Sequence, residues 1–326
     1  MKDLFKYFSN DHNVINGLFK EEKIRFTQPW ALNDPLEFNP SIETDYCKNV
    51  YENYRINDKV LFSFEEFVKL MIIEPVINKY GILSLTTISD SFNMWNYYSN
   101  GHKGFSIGFN ENFNEHSYLK DNNDAPYPIR KVEYEEKLSI KVENFLNDGN
   151  FVDRKTIIEK LFFKKTSRWS HENEYRMIRP LKDAQNYSGP ECNRVHRDDS
   201  LYLFNFSLDW IHTIAFGAHM SRENKNIILN ACESSDVNFV QAVIYRDKRD
   251  DNDTIGKVGY FGVGKEENEM SPKALLSWRP YHFCSDKEGW ESLNKQKEIS
   301  SLQELPYYRG NEDIVKNHYS EAPKID

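Results

Sequence analysis

Short apolar runs bounded by Gly, Pro, Asn or Asp recur along this chain, and stretches with helical spacing stand between them. Residues 4–20 space Leu4, Phe5, Phe8, Ile15, Leu18 and Phe19 as a short opening helix would. Lys23–Thr27 reads as a strand broken by Gln28-Pro29, and Leu32–Glu37 as an Asn-Asp-Pro turn. Phe62, Phe67, Leu70, Met71 and Ile73 predict one or two amphipathic helices over 59–79, closed by Gly81. Ile82–Thr87 alternates as a strand, with Ser84 and Thr86 on one face and Leu83 and Leu85 on the other. Ser89-Asp90-Ser91 then opens a two-turn aromatic helix carrying Phe92, Trp95 and Tyr98, and Phe105–Phe109 is the return strand. Residues 110–128 read as a loop, Tyr127–Tyr134 as a strand and 136–163 as largely helical. Strands follow at Leu201–Phe206, Ile211–Phe216 and Val237–Tyr245, with a helix over 221–233. The expected fold class is α+β.

Composition narrows the function. Aromatic residues make up 14% of the 326, so the chain has the means to build a sizeable core. The four cysteines are scattered with no C-x-x-C pair, which speaks against a zinc site or a disulfide framework; no metal is expected. No apolar run reaches the ~18 residues of a membrane span, and Met1–Lys6 lacks the core of a signal peptide. A cytoplasmic protein with no membrane partner is the expectation. The net charge of −9 gives no global attraction to nucleic acid, so any such contact must come from a local patch. One such patch is available. Nine Lys or Arg lie between Arg154 and Lys182, interleaved with Phe162, Phe163 and Trp169. A solvated helix face is the commoner meaning of such a run. The sharper one is a shelf on which Lys164, Lys165, Arg168 and Trp169 meet phosphates and bases.

The chemistry concentrates in Arg168–Ile178, a polar turn running into a short strand that stops at Pro180. Glu172 and Glu174 stand two apart, so on an extended segment they face the same side, where each raises the other's proton affinity. An isolated Glu-x-Glu is usually a pair of solvated acids on an edge strand. Its company upstream is Arg25 on an early strand and Ser84-Leu85-Thr86 on a middle one.

That order resembles the arginine–serine–glutamate branch of the ADP-ribosyltransferase superfamily. The stretch from Lys6 to about residue 245 also resembles a broad bacterial family often found near phage-defence genes. The shared features are Phe26-Thr27, Asn33-Asp34-Pro35, Glu37, Met94-Trp95, Tyr98, His102-Lys103-Gly104-Phe105, and Trp169 through Glu172 to Glu174-Tyr175-Arg176. The resemblance implies a split mixed β-sheet core with flanking helices over 1–245, and a C-terminal extension over 246–326 that packs on it and ends in a mobile tail.

It also implies NAD as co-substrate. Cleavage of the nicotinamide–ribose bond passes through an oxocarbenium-like sugar, which the carboxylate of Glu174 would stabilise, while Glu172 activates the acceptor. Arg25 would grip the dinucleotide phosphates. Ser84, Thr86 or Thr87 would hold the ribose and steady the glutamate; the usual Ser-Thr-Ser is spread here over Ser84-Leu85-Thr86-Thr87. Tyr97 or Tyr98 could stack on nicotinamide, and His102 could contact the pyrophosphate or cap its helix. The acceptor would be nucleic acid, with RNA favoured by the basic aromatic stretch, or protein. A toxin or anti-phage effector of this kind implies a neutralising partner, an antitoxin. Two other readings compete: a non-catalytic module that senses a nucleotide or a phage component, and a metal-dependent hydrolase or nuclease, for which the chain offers no convincing ligand spacing.

Overall fold

The computed structural model describes residues 3–34, 36–43, 63–110, 113, 129–141, 146–147, 150–151, 154–188, 201–245 and 257–263. In chain order the elements begin with β1 (Leu4–Phe8), α1 (His12–Phe19), β2 (Lys23–Phe26) and β3 (Ser41–Glu43). Then come α2 (Phe64–Val68), α3 (Glu74–Ile77), β4 (Tyr80–Thr86), α4 (Phe92–Tyr98) and β5 (Phe105–Phe109). The middle of the chain supplies β6 (Arg130–Lys131), β7 (Glu133–Glu135), β8 (Ser139–Lys141), β9 (Leu146–Asn147), β10 (Asn150–Phe151), α5 (Arg154–Leu161) and β11 (Lys164–Thr166). Last are β12 (Glu174–Pro180), β13 (Asn186–Ser188), β14 (Leu201–Asn205), β15 (Ile211–Phe216), α6 (Arg222–Ala231), β16 (Asn238–Tyr245) and β17 (Lys257–Val263). The class is α+β.

The chain forms two units. The first comprises Met1–Glu22, Ile88–Phe113 and Ser207–Asp326; the second comprises Lys23–Thr87 and Asn114–Phe206. Five strands of the first unit run in the order β17-β16-β15-β5-β1, parallel between β15 and β16 and antiparallel elsewhere. β17, beyond residue 245, pairs with β16 along its whole length. Side-chain caps start the helices: Asp11 accepts from the Asn13 N–H for α1, Ser91 from Met94 for α4, and Ser221 from Asn224 for α6. Trp95 of α4 is fully buried with Tyr7 and Met94. Its indole N–H and the hydroxyls of Tyr7 and Tyr260 all donate to the Ser89 carbonyl, which fixes the strand-to-helix turn before α4.

In the second unit β4 pairs antiparallel with β12, and β12 with β6. β2 pairs with β14, and β14 with β13. A single bridge, Thr27 to Ile82, joins β2 to β4. Two parallel pairs, β11 with β7 and β3 with β8, complete the strands around the site. Ile72, Ile73, Tyr80, Ile82, Ile158, Phe162 and Ile178 are among the residues of one apolar cluster beneath β4 and β12. Each such side chain contributes on the order of 2 kcal/mol by burial.

Several local expectations change. The opening stretch is a strand followed by a helix, because Leu4–Phe8 zips onto β5 and Asp11 restarts the chain as α1. Gly81 lies inside β4 and closes no helix. A Cβ there would stand 2.8 Å from the Phe26 Cβ and from Leu181, so glycine serves close packing. The predicted helix over 59–79 is interrupted by a π turn at Lys69–Ile73. Pro75 has no N–H to return to the preceding turn, and the ladder widens there. Among the described residues of 136–163, Ser139–Lys141 is a strand and only Arg154–Leu161 is helical. Most of the 110–128 loop, residues 246–256 and the tail beyond residue 263 lie outside the described residues.

Gly104 gives a sharp test of the first unit. A Cβ at this position would sit 1.9 Å from the Phe8 carbonyl oxygen and 3.0 Å and 3.1 Å from the Phe8 and Ser9 carbonyl carbons, all of them backbone. Gly104→Ala is expected to destabilise the protein by about 3 kcal/mol, measured by denaturant unfolding.

Candidate functional site

The site grows from the join between β11 and β12. Leaving β11, the chain makes a 3-10 turn over Ser167–Glu172 and ends it at Asn173 in the left-handed region, φ 44° and ψ 51°. Asn tolerates that conformation better than most side chains. Its amide donates to the Thr87 hydroxyl, which pins the turn to the end of β4. Glu172 and Glu174 therefore do not share a face of one extended strand, as their spacing predicts. The turn itself brings them together. Both carboxylates meet the Lys165 ammonium, Glu172 at 2.7 Å and Glu174 at 3.0 Å.

β4 and the residue after it hold this turn with three hydroxyl contacts. The register sets Thr86 opposite Glu174 and Ser84 opposite Arg176. Thr86 donates to the Glu172 carbonyl at 2.6 Å, and Ser84 is hydrogen-bonded to the Glu174 carboxylate. Thr87 receives the Asn173 amide. The hydroxyls that the sequence leaves undivided thus have three separate jobs. From the other side, the Tyr134 hydroxyl accepts the Glu174 N–H at 2.8 Å.

Arg176, two residues along β12 and fully buried, is the hub of the cluster. Its Nε donates to Glu174 Oε1 at 2.8 Å and its Nη1 to the Phe162 carbonyl at 2.8 Å. Its Nη2 reaches Glu174 Oε2 at 3.0 Å and also Glu37. Glu37 in turn lies 3.8 Å from Lys165. Three carboxylates and two cations are thereby gathered in one place, and every member is at least nine-tenths buried.

Burial alone would push the Glu174 carboxyl up. Arg176 and Lys165 outweigh it, with hydrogen bonds from Arg176 and Ser84, and hold Glu174 down at about 2. The mutual rise expected of paired acids does not occur at Glu174, because Lys165 stands between the two carboxylates and Arg176 beside Glu174. Glu37 is pushed up instead, by burial first and also by the Glu174 charge, although Arg176 and Lys165 pull the other way. Lys165 is raised: burial disfavours its charge, but Glu174, Glu37 and Glu172 favour it more. Burial pushes the Tyr134 phenol up to about 12.

The remaining expected residues are placed as follows. Arg25 is exposed on β2 and makes no ion pair among the described residues. It stands two residues before Thr27, whose partner Ile82 is two residues before Ser84. Past that bridge β2 turns to β14 and β4 to β12, so Arg25 and Ser84 flank a fork between sheets. Lys164 is paired with Glu135, and Lys165 is buried in the cluster. Arg168 is largely exposed, 4.0 Å from Asp34. Trp169 lies under the Lys165 ammonium, 5.0 Å from the ring centroid. Tyr97, Tyr98 and His102 belong to the first unit. Tyr97 is exposed, Tyr98 packs beside the Trp95 cluster, and His102 is buried at φ 64° with its ring near Phe92, Trp95 and His219.

Sequence reading passes over Arg176 and Glu37 as members of the charged cluster. The spacing Glu174-x-Arg176 on a strand is a signal for the first, since residues two apart share a face. No local signal marks Glu37, whose part depends on a turn more than 120 residues away. Among the described residues no group of His, Cys, Asp and Glu is arranged to hold a metal ion, and no helix is long and apolar enough to cross a membrane.

Two measurements test the cluster. Arg176→Met leaves Glu37 and Glu174 buried without their main counter-charge, and is expected to cost about 4 kcal/mol in unfolding free energy. Arg25→Ala should stay within about 0.5 kcal/mol. The second is a pH profile. The Glu174 carboxyl is depressed from an ordinary 4.5 to about 2. Its contribution to stability is therefore complete above 4.5 and is lost as pH falls toward 2. Glu37, shifted upward, acts with the opposite sign. The profile of Glu174→Gln subtracted from wild type should thus fall by on the order of 3 kcal/mol between pH 5 and 2.

Compared with known proteins, the chain is similar over residues 94–177 to a family described as a protein of unknown function, DUF2971. That stretch runs from α4 to the middle of β12 and includes Lys165, Glu172, Glu174 and Arg176. No curated protein and no solved structure matches the chain.

Proposed function

We propose that the second unit carries an NAD-dependent ADP-ribosyltransferase site with Glu174 as the catalytic carboxylate. The observation that carries this reading is the pairing of β4 with β12. It sets hydroxyls of Ser84, Thr86 and Thr87 against the Glu172-Asn173-Glu174 turn, at the fork where Arg25 stands. In the reaction the acceptor nucleophile bonds to C1′ of the nicotinamide ribose. The C1′–N bond breaks and its electron pair leaves with nicotinamide. The acceptor's proton passes to the Glu172 carboxylate. Charge on the ribose peaks between bond breaking and bond making, and an anionic Glu174 lowers the energy of that state. A carboxyl held at about 2 is fully ionised for this task at neutral pH.

Arg25, exposed and free of ion pairs among the described residues, supplies a planar fork for the pyrophosphate. Lys165 is the movable member of the cluster. Its ammonium sits on a flexible stem and can leave the two carboxylates when the dinucleotide enters, whereas Arg176 is fixed by Glu37, Glu174 and the Phe162 carbonyl. The acceptor is RNA or protein, and the biological role is that of a toxin or anti-phage effector with a neutralising partner.

A second reading is favoured by one observation. Both glutamates are at least 95% buried and engaged with Lys165, an arrangement that also suits a non-catalytic binding module whose ions serve only to hold the turn.

The experiment incubates the protein with NAD labelled on the ADP-ribose moiety, in separate arms with total RNA and with cell protein. Wild type is expected to transfer label to one arm and release nicotinamide. Glu174→Gln should lose at least about a hundredfold in rate. NAD bound by wild type with neither transfer nor nicotinamide release supports the second reading and removes the first.

A further inference from the structure

Independently of whether Glu174 catalyses a reaction, we infer that Asp34 and Trp169 form a binding site for the amide-like edge of a planar ligand. This edge, a hydrogen-bond donor beside an acceptor, is common to nucleobases and nicotinamide. Arg168 stands next to the two as a guanidinium for the remainder of the ligand.

The Asp34 turn approaches the segment between β11 and β12, and the two halves leave complementary atoms unused. Asp34 is 4% exposed. Its Oδ1 accepts the Leu36 N–H at 3.0 Å, while its Oδ2 is buried and has no hydrogen-bond partner among the described residues. Trp169 Nε1 is likewise buried with no partner among them. A carboxylate oxygen and an indole N–H left unsatisfied each cost stability, and a protein keeps them where something completes them.

The pair sets the chemistry of that partner. An inorganic anion would satisfy the Trp169 N–H but face the Asp34 charge. A cation would do the reverse. A group offering one N–H to Asp34 Oδ2 and one oxygen or ring nitrogen to Trp169 Nε1 satisfies both.

The supports on either side are unequal. The Trp169 ring packs against the Lys165 ammonium at 5.0 Å and the His171 ring at 6.2 Å between centroids. Arg168 is held loosely, its Nε on Thr166 Oγ1 at 3.0 Å and its Nη2 4.0 Å from Asp34, with 57% of the side chain exposed. Exposed and loosely held beside Asp34, it offers a flat cation to a phosphate or a ring face.

The test is calorimetric titration of the full chain with cytidine, guanosine and nicotinamide, and with ribose 5-phosphate as a ligand lacking the amide edge. At least one of the first three should bind, and ribose 5-phosphate should not. Which one binds identifies nucleobase or nicotinamide as the source. Trp169→Phe keeps the ring and removes the N–H; it should weaken binding about tenfold. Asp34→Asn keeps the acceptor used by Leu36 and removes the charge, and should weaken it about tenfold or more. Binding by none of the three, affinity unchanged in Trp169→Phe, or equal binding of ribose 5-phosphate would overturn the inference. Repeating the titration in Glu174→Gln separates this site from the transfer reaction, because binding there should persist.

Discussion

Five buried charges on four segments of chain hold the second unit's site together. Arg176 cannot enter an apolar interior alone. Its desolvation is offset only if acids surround it, and the acids come from its own strand and from a turn far upstream. Lys165 meets the same requirement from β11. Replacing such a cluster with apolar side chains often leaves stability unchanged or raises it, so its value lies in specificity. The arrangement of β11, β12 and the Asp34–Glu37 turn pairs all five ions at once, and it aims the Glu172-Asn173-Glu174 turn.

The same constraint shapes the chemistry available. Two glutamates placed side by side in an apolar setting would compete for a proton. Between them here stands a lysine, and next to one of them an arginine, so Glu174 stays an anion far below neutral pH. The carboxyl that moves upward is Glu37, which is deeply buried and feels the like charge of Glu174. An acid with a raised proton affinity and one with a lowered affinity, sharing an arginine, are a common signature of functional sites and also of structural ion networks. The hydroxyls of Ser84, Thr86 and Thr87 grip the turn at three points and leave little freedom in the placement of Glu174.

How much of this could be read from residues alone differs between elements. β4, α4, β5, β14, β15, α6 and β16 are legible because each carries its own periodicity and its own stop signals, such as Ser91 before α4 and Ser221 before α6. The opening of the chain is not, since Leu4, Phe5 and Phe8 fit a helix or a strand equally and only pairing with β5 decides. The π turn before α3 follows from Pro75, yet its place depends on packing. The stretch 136–163 fails as a helix because β8 finds a partner in β3, nearly a hundred residues earlier.

By itself the sequence determined the α+β class, most strand and helix positions, and the residue types gathered around Glu174, since these depend on local periodicity and on chemistry written in side chains. Tertiary structure alone decided that Asn173 turns left-handed, that Arg176 and Glu37 join the glutamates, and that Lys165 is buried with them while Arg25 stays outside. Those facts rest on desolvation. A charge seeks whatever counter-charge the fold brings within about 4 Å, and no run of neighbouring residues encodes which distant segment that will be.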